Sequence, residues 1–260
     1  MTLLVSPARP GKILFLKDRC RHMLKKEFLT HHPIHNAGFT SEDLLPPPGF
    51  GAVLARAGVG KTAFLVQVAL HAMLNDFDVL HVSLHDPVNK IDLWYRELFI
   101  NMARQSKMSR VDDMWQEIMP HRFIMTFKID GFTVPKLEER LTDLTVQDIF
   151  HPKMIIMDGL HFDPSVREKL EALKGLAARF SVALWFTAHI HRHDGVTEGG
   201  LPASLGPVSD LFDTLILLQP DGERIPVRMV KGPPGKMPSG RLFLDPSTLL
   251  IEKADAAEMT

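Results

Sequence analysis

A single cysteine, Cys20, is all the thiol chemistry that the 260 residues offer. That excludes a disulfide framework and a thiolate metal cluster, and it fits a reducing cytoplasm. Charge of one sign is also missing. There are 30 Lys+Arg against 31 Asp+Glu, a formal net charge of -1, so nothing draws the whole chain toward nucleic acid or an acidic membrane. The apolar run near the N-terminus, Ile13-Leu14-Phe15-Leu16, is too short to span a bilayer, and no small-residue cleavage site comes after it. No internal repeat is visible. The expectation is a soluble, cytoplasmic protein with no membrane partner. A hydrophobic share of 45% is ample for one buried core in one large α/β domain, alone or with a short appendage.

Residues 1–36 differ in composition from the rest of the chain. They carry Arg9, Lys12, Lys17, Arg19, Arg21, Lys25 and Lys26 against Asp18 and Glu27. Leu16, Cys20, Met23, Leu24 and Phe28 recur at helical spacing, which predicts an amphipathic helix with a basic face. This extension is read as a helix packed on the core with a solvated charged side, or as a docking or nucleic-acid arm. The histidines His31, His32 and His35 close it and are expected in a surface loop. Pro46-Pro47-Pro48-Gly49 then forms a stiff approach to the first core strand. Residues 37–260 are expected to form the main domain.

From Phe50 onward, strand-like runs alternate with helical patterns. Strands are predicted at Gly51–Ala55, Val79–Leu84, Arg122–Phe127, Met154–Met157, Ala183–Thr187, Thr214–Leu218, Ile225–Lys231 and Arg241–Leu244. The first five suit parallel strands covered on both faces. A helix capped by Ser165, with Glu168 at the reciprocal position, buries Val166, Leu170, Leu173, Leu176 and Phe180; another buries Leu137, Leu141 and Leu144. The run Leu93–Phe99 reads as an amphipathic helix, so Trp94, Tyr95 and Trp115 are packing aromatics. Strand–helix alternation predicts an α/β fold with a doubly wound, mostly parallel sheet. After Thr214 the strands are short and hairpin-spaced, predicting an antiparallel extension at the C-terminal edge.

Ala55-Arg56-Ala57-Gly58-Val59-Gly60-Lys61-Thr62 follows an apolar strand and opens a helix with Phe64, Leu65, Val68 and Ala69. This is the context of a P-loop, the Walker A pattern. Glycines let successive backbone N–H groups turn inward around an oxyanion, and the helix N-terminus adds its positive end. Ala57, Gly58, Val59, Gly60, Lys61, Thr62 and Ala63 are therefore the candidate phosphate-binding residues. Lys61 can reach the β- and γ-phosphates, and the Thr62 hydroxyl can ligate Mg²⁺. Ala55 stands where the first glycine of the pattern normally sits, a sterically mild change at a strand end. About 100 residues later, Met154-Ile155-Ile156-Met157 ends in Asp158, a carboxylate placed to hold the same Mg²⁺ through water.

These segments together resemble the RecA-like P-loop ATPases, in the branch of the DnaB helicase C-terminal domain and KaiC, over about residues 36 to 251. The carriers are Ala37-Gly38-Phe39-Thr40 with Leu44-Leu45, the P-loop, Val79 through Asp86-Pro87, Asp213 through Leu218, and Val227 through Gly235. The resemblance implies ATP as the nucleotide and Mg²⁺ as its metal. It places a glutamate after the Ser83-Leu84 pair, as the base that orients the attacking water; here His85 occupies that place and Asp86 comes next. General-base help is worth ~10²–10⁴-fold, so hydrolysis is expected to be slow unless His85 or Asp86 substitutes. A histidine can act as a base near neutral pH. Asp86 can do so only if the backbone turns it inward.

The resemblance also places a γ-phosphate sensor at Phe186-Thr187-Ala188-His189, with His189 the candidate. A polar strand end bonded locally is the plainer account. His189, His191 and His193 would share a strand face, but no fourth ligand accompanies them, so a metal role there is not favoured. The loop 193–202 is glycine-rich, acidic and poor in cations, which argues against tight DNA binding. Lys231 and Lys236 lie where ring ATPases reach a neighbouring subunit's nucleotide, so Lys231 is a candidate in trans and a homo-oligomeric ring or filament is a candidate assembly. The helical N-terminal domain of replicative helicases is not in the sequence, so a full replicative helicase is not expected.

Three functions remain open at this level. One is a slowly turning ATPase that acts as a nucleotide-gated regulator or assembly factor on a protein partner. Another is a DNA-associated motor or recombination accessory that uses its basic N-terminal helix. The last is a nucleotide-binding module without hydrolysis.

Overall fold

The computed structural model describes residues 22–162, 166–190, 201–232 and 241–254. The Ser165 cap, His191, His193, most of the loop 193–202 and Lys236 lie outside the described residues. In chain order come α1 (22–30), α2 (Pro33–Asn36), α3 (Ser41–Leu44), β1 (Gly49–Ala55), α4 (Lys61–Leu74), β2 (Val79–Ser83), α5 (Val88–Gln105), α6 (Val111–Ile118) and β3 (Arg122–Thr126). They are followed by α7 (Val134–Val146), β4 (Met154–Asp158), α8 (Val166–Phe180), β5 (Ala183–His189), β6 (Thr214–Leu218), β7 (Ile225–Lys231), β8 (Leu242–Leu244) and β9 (Ile251–Lys253).

One nine-stranded sheet runs in the order β3-β2-β4-β5-β1-β6-β7-β8-β9. β1 pairs parallel with both β5 and β6, and β7, β8 and β9 add antiparallel. The antiparallel extension therefore begins at β7 rather than at Thr214, because β6 still lies in register beside β1. β9 was not anticipated; its three residues are too few for a periodic signal. No helix among the described residues is long and apolar enough to cross a membrane.

The parallel strands are apolar on both faces because both faces are covered. Val53, Ala55, Ile156 and Trp185 pack with α4 and α5, while Ala52, Leu54, Phe186 and Leu184 pack with α7 and α8. α4 is buried from Ala63 through Leu74, as a helix apolar all round must be. Its one interior amide, Gln67, ties the far edge of the sheet to it. Gln67 Nε2 donates to Leu249 O at 2.8 Å and Ala63 O at 3.1 Å, and its Oε1 accepts Ile251 N at 2.9 Å.

Residues before Ala37 join the same core. Phe28 stacks on Phe99 with ring centroids 5.2 Å apart, and Ile34 is buried. Leu137, Leu141, Leu144, Leu170, Leu173 and Leu176 are buried as their spacing predicts, and Tyr95 and Phe99 form the inner face of α5.

The histidine triplet is not a surface loop. His32 is buried, its Nδ1 accepts Ile34 N at 3.2 Å to cap α2, and its ring meets His71 of α4 edge-on at 5.1 Å. Burial first, then the neighbouring His71 and His35, holds His32 well below the usual imidazole value. Burial, then His35, pushes His71 down to about 4, with Asp43 opposing. Both folded values lie below the unfolded value of about 6.5, so the unfolded chain takes up protons first as pH falls. Stability is full above about pH 6.5 and is lost as pH falls toward 4, by about 1.4 kcal/mol per pH unit for each such group. Urea unfolding at pH 7.5 and 5.5 should therefore give a lower midpoint at 5.5, and His71→Gln should flatten the difference. A midpoint equal at both values would refute the buried neutral pair.

Candidate nucleotide-binding site

β1 delivers the chain to the C-terminal edge of the parallel sheet, where Arg56–Gly60 turn back into α4. Two glycines take the left-handed backbone, Gly58 at φ 76° and Gly60 at φ 108°. At Gly60 space forbids a side chain as well: a Cβ there would lie 2.5 Å from Leu244 Cδ2. β8 thus packs directly beneath the loop. Ala55, in place of the pattern's first glycine, is fully buried in the sheet opposite His189, where its methyl adds to the core.

Lys61 stands at the start of α4 and folds back over the loop, donating from Nζ to Arg56 O at 2.9 Å and Ala55 O at 3.1 Å. Burial lowers its pKa, and Asp158 acts the other way. A half-buried ammonium at a helix N-terminus is a ready partner for an anion. Thr62 lies one residue on. Its hydroxyl donates to Asp158 Oδ2 at 2.8 Å, and the Thr187 hydroxyl donates to Asp158 Oδ1 at 2.6 Å. Thr187 Oγ1 in turn accepts Gly159 N–H at 3.1 Å. The carboxylate at the tip of β4 is thus fixed from α4 on one side and from β5 on the other.

The remaining candidates spread around this cluster. His85 lies just past β2 and is exposed, with its imidazole against Gly159; a Cβ on that glycine would sit 2.5 Å from His85 Cδ2. The His161 ring meets His85 edge-on at 5.3 Å. Asp86 does not reach the cluster by hydrogen bonds: its N–H donates to Ser83 Oγ and its carboxylate takes Lys90 Nζ at 2.9 Å. His189 is exposed at the end of β5. Lys231 Nζ donates to Ser209 O at 3.1 Å, within its own chain.

Thr187 and His161 were the site residues that sequence reasoning passed over. Thr187 sits within the sensor segment, but the strand's alternation puts it, not the exposed His189, against Asp158. Its signal was a hydroxyl inside an otherwise apolar strand. His161 lies beyond the strand tip and had no pattern to mark it.

The donor set suits a hard cation. Thr62 and Asp158 present hydroxyl and carboxylate oxygens side by side, and among the described residues no group of three or more His, Cys, Asp or Glu could cage a metal alone. A site of this kind fits Mg²⁺, which is commonly held by one or two protein oxygens together with waters and substrate phosphates.

No protein-family model and no curated protein matches the sequence. Solved structures do match. The ATPase domain of a DnaB-like helicase superposes with a TM-score of 0.58 at 17% identity, over 80% of this chain and 85% of that one. The chain has the RecA-like P-loop ATPase fold, of the DnaB-like kind, with a mixed sheet whose C-terminal strands are antiparallel. At this identity the likeness speaks for the fold alone, and the KaiC-like branch stays an expectation.

Thr187→Val keeps the shape and removes the hydroxyl, leaving Gly159 N–H unpaired and Asp158 short of a donor. Urea unfolding should show a loss of about 1–3 kcal/mol. Unchanged stability would mean that Thr187 does not hold the carboxylate.

Proposed function

We propose that this protein is a Mg²⁺-dependent, slowly turning ATPase that works as a nucleotide-gated regulator or assembly factor. The observation that carries the reading is the 2.8 Å contact between Thr62 and Asp158 beside Lys61, set on a glycine turn. In this reading the backbone N–H groups of Gly58 through Ala63 and the Lys61 ammonium face the phosphates, while Thr62 and Asp158 hold the metal. Bound Mg²⁺ offsets the charge of the triphosphate and of the phosphoryl group being transferred. Adenine as the base rests on the resemblance.

The slow turnover comes from His85. Its ring stands over Gly159 beside the Asp158 tip, the place where the resemblance puts a glutamate. There it is the residue of this chain placed to orient a water. Asp86 is committed to Lys90, so it serves only if that pair opens. The gating element is the pair of strand ends after β2 and β5, where His85 and His189 face solvent. A ring or filament of copies fits the proposal: a neighbour's phosphate would draw Lys231 away from Ser209 O. The sparse thiol content is consistent with a cytoplasmic setting.

Phosphate release from Mg²⁺·ATP, measured beside Lys61→Ala, tests this. Expected are slow turnover that vanishes in Lys61→Ala, no stimulation by single-stranded DNA, and acceleration up to ~10²-fold in His85→Glu. Strong stimulation by DNA would turn the reading to a motor. No release with ATP still bound would leave a binding module.

A further inference from the structure

β2 carries an imidazole where a buried parallel strand usually carries an aliphatic chain. His81 is fully buried on the face that also bears Ser83, Asp158 and Thr187, since His81 pairs with Ile156 and Ser83 with Asp158 across β4. Its Nδ1 lies 3.2 Å from the Tyr95 hydroxyl, and Tyr95 is itself fully buried in α5. Burial holds the Tyr95 phenol protonated far into the alkaline range, and burial keeps the His81 ring neutral near pH 7, pushed down to about 4. A neutral ring has one N–H. The phenol can only donate its O–H to Nδ1, so that N–H sits on Nε2.

His81 Nε2 has no hydrogen-bond partner, although it is buried. It faces Asp158 Oδ2 at 3.9 Å, the oxygen that also accepts the Thr62 hydroxyl. An unpaired buried donor held just beyond bonding distance of a carboxylate calls for an explanation. The ring is gripped from behind. The Arg122 guanidinium lies 4.6 Å from the Tyr95 ring centroid, Arg122 Nη2 donates to Asp92, and the same guanidinium lies 5.8 Å from the Trp115 ring. A continuous buried line therefore runs from Asp158 through His81 and Tyr95 to Arg122, the first residue of the edge strand β3.

We propose that His81 is a positioning residue for Asp158: its Nε2–H, fixed by Tyr95, closes on Oδ2 when the nucleotide site is loaded. Thr62 is the residue expected to turn its oxygen to the cation, so its hydroxyl is the donor that loading competes for. His81 supplies a second donor to the same oxygen. The closure shifts the ring against Tyr95, so occupancy of the site is felt at α5 and, through Arg122, at β3. This inference rests on reading the site as one for Mg²⁺ and ATP.

Tyr95 is the only tyrosine in the chain, so ¹³C-labelled tyrosine gives a single phenol signal. That signal is recorded for the full chain without ligand, with ATP and EDTA, and with ATP and Mg²⁺. Calorimetry on the same samples reports binding independently. The Tyr95 signal should move with Mg²⁺ and ATP together and stay put with ATP and EDTA. His81→Phe should abolish the response and weaken Mg²⁺ by about 10–100-fold, as loss of a ligand's orienting partner does. His81→Gln, which returns an N–H donor, should recover part of both. Should His81→Phe fail to fold, Tyr95→Phe carries the test through Mg²⁺ affinity, which should fall in the same direction. Calorimetric binding of Mg²⁺·ATP with an unmoved Tyr95 signal, or unchanged Mg²⁺ affinity in these variants, overturns the role of His81. Absence of binding in calorimetry overturns the reading of the site itself.

Discussion

The Asp158 carboxylate is the point through which the C-terminal edge of the sheet is joined. Thr62 reaches it from α4 and Thr187 from β5, while Leu84 N–H, just beyond β2, donates to the Asp158 carbonyl at 2.9 Å. The strand order makes this geometry unavoidable. β5 lies between β1 and β4, so a carboxylate at the tip of β4 meets the P-loop helix only across the end of β5. A hydroxyl at Thr187 fills that crossing. Hydrogen bonds to a charged acceptor are stronger than neutral ones, and three elements share this one.

Behind the site, the C-terminal strands act as a buttress. Gly60 has no room for a side chain because Leu244 of β8 fills the space, and β9 hangs on Gln67 in the middle of α4. The same helix therefore presents its N-terminus to the site and its interior amide to the far edge of the sheet. The extension that looks peripheral in the strand order is packed against the loop.

Much of this was readable beforehand. The glycine turn, Lys61 and Thr62 declare themselves because phosphate binding needs that order of residues at a strand-to-helix junction. Asp158 was legible from an apolar run that ends in a carboxylate. The parallel strands were legible because burial on both faces removes the alternation that a half-exposed strand would show. The rest depends on where separate segments meet. Thr187 and His189 sit two apart on one strand, and only packing decides which of them touches Asp158. His32 read as part of an exposed loop, yet the turn into α2 carries it under the domain beside His71. Gln67 and His81 are polar residues inside apolar patterns, and their partners lie 182 and 14 residues away. No local period reports such distances.

The central claim is that Lys61, Thr62 and Asp158 form one site for a metal-bound nucleoside triphosphate. Titration calorimetry with ATP, in Mg²⁺ and in EDTA, tests it on the intact chain and on Lys61→Ala and Asp158→Asn. The account predicts binding by the intact chain that is tighter in Mg²⁺, strong loss in Lys61→Ala, and loss of the Mg²⁺ dependence alone in Asp158→Asn. Equal affinity in all three proteins, or an affinity indifferent to Mg²⁺ in the intact chain, would contradict it.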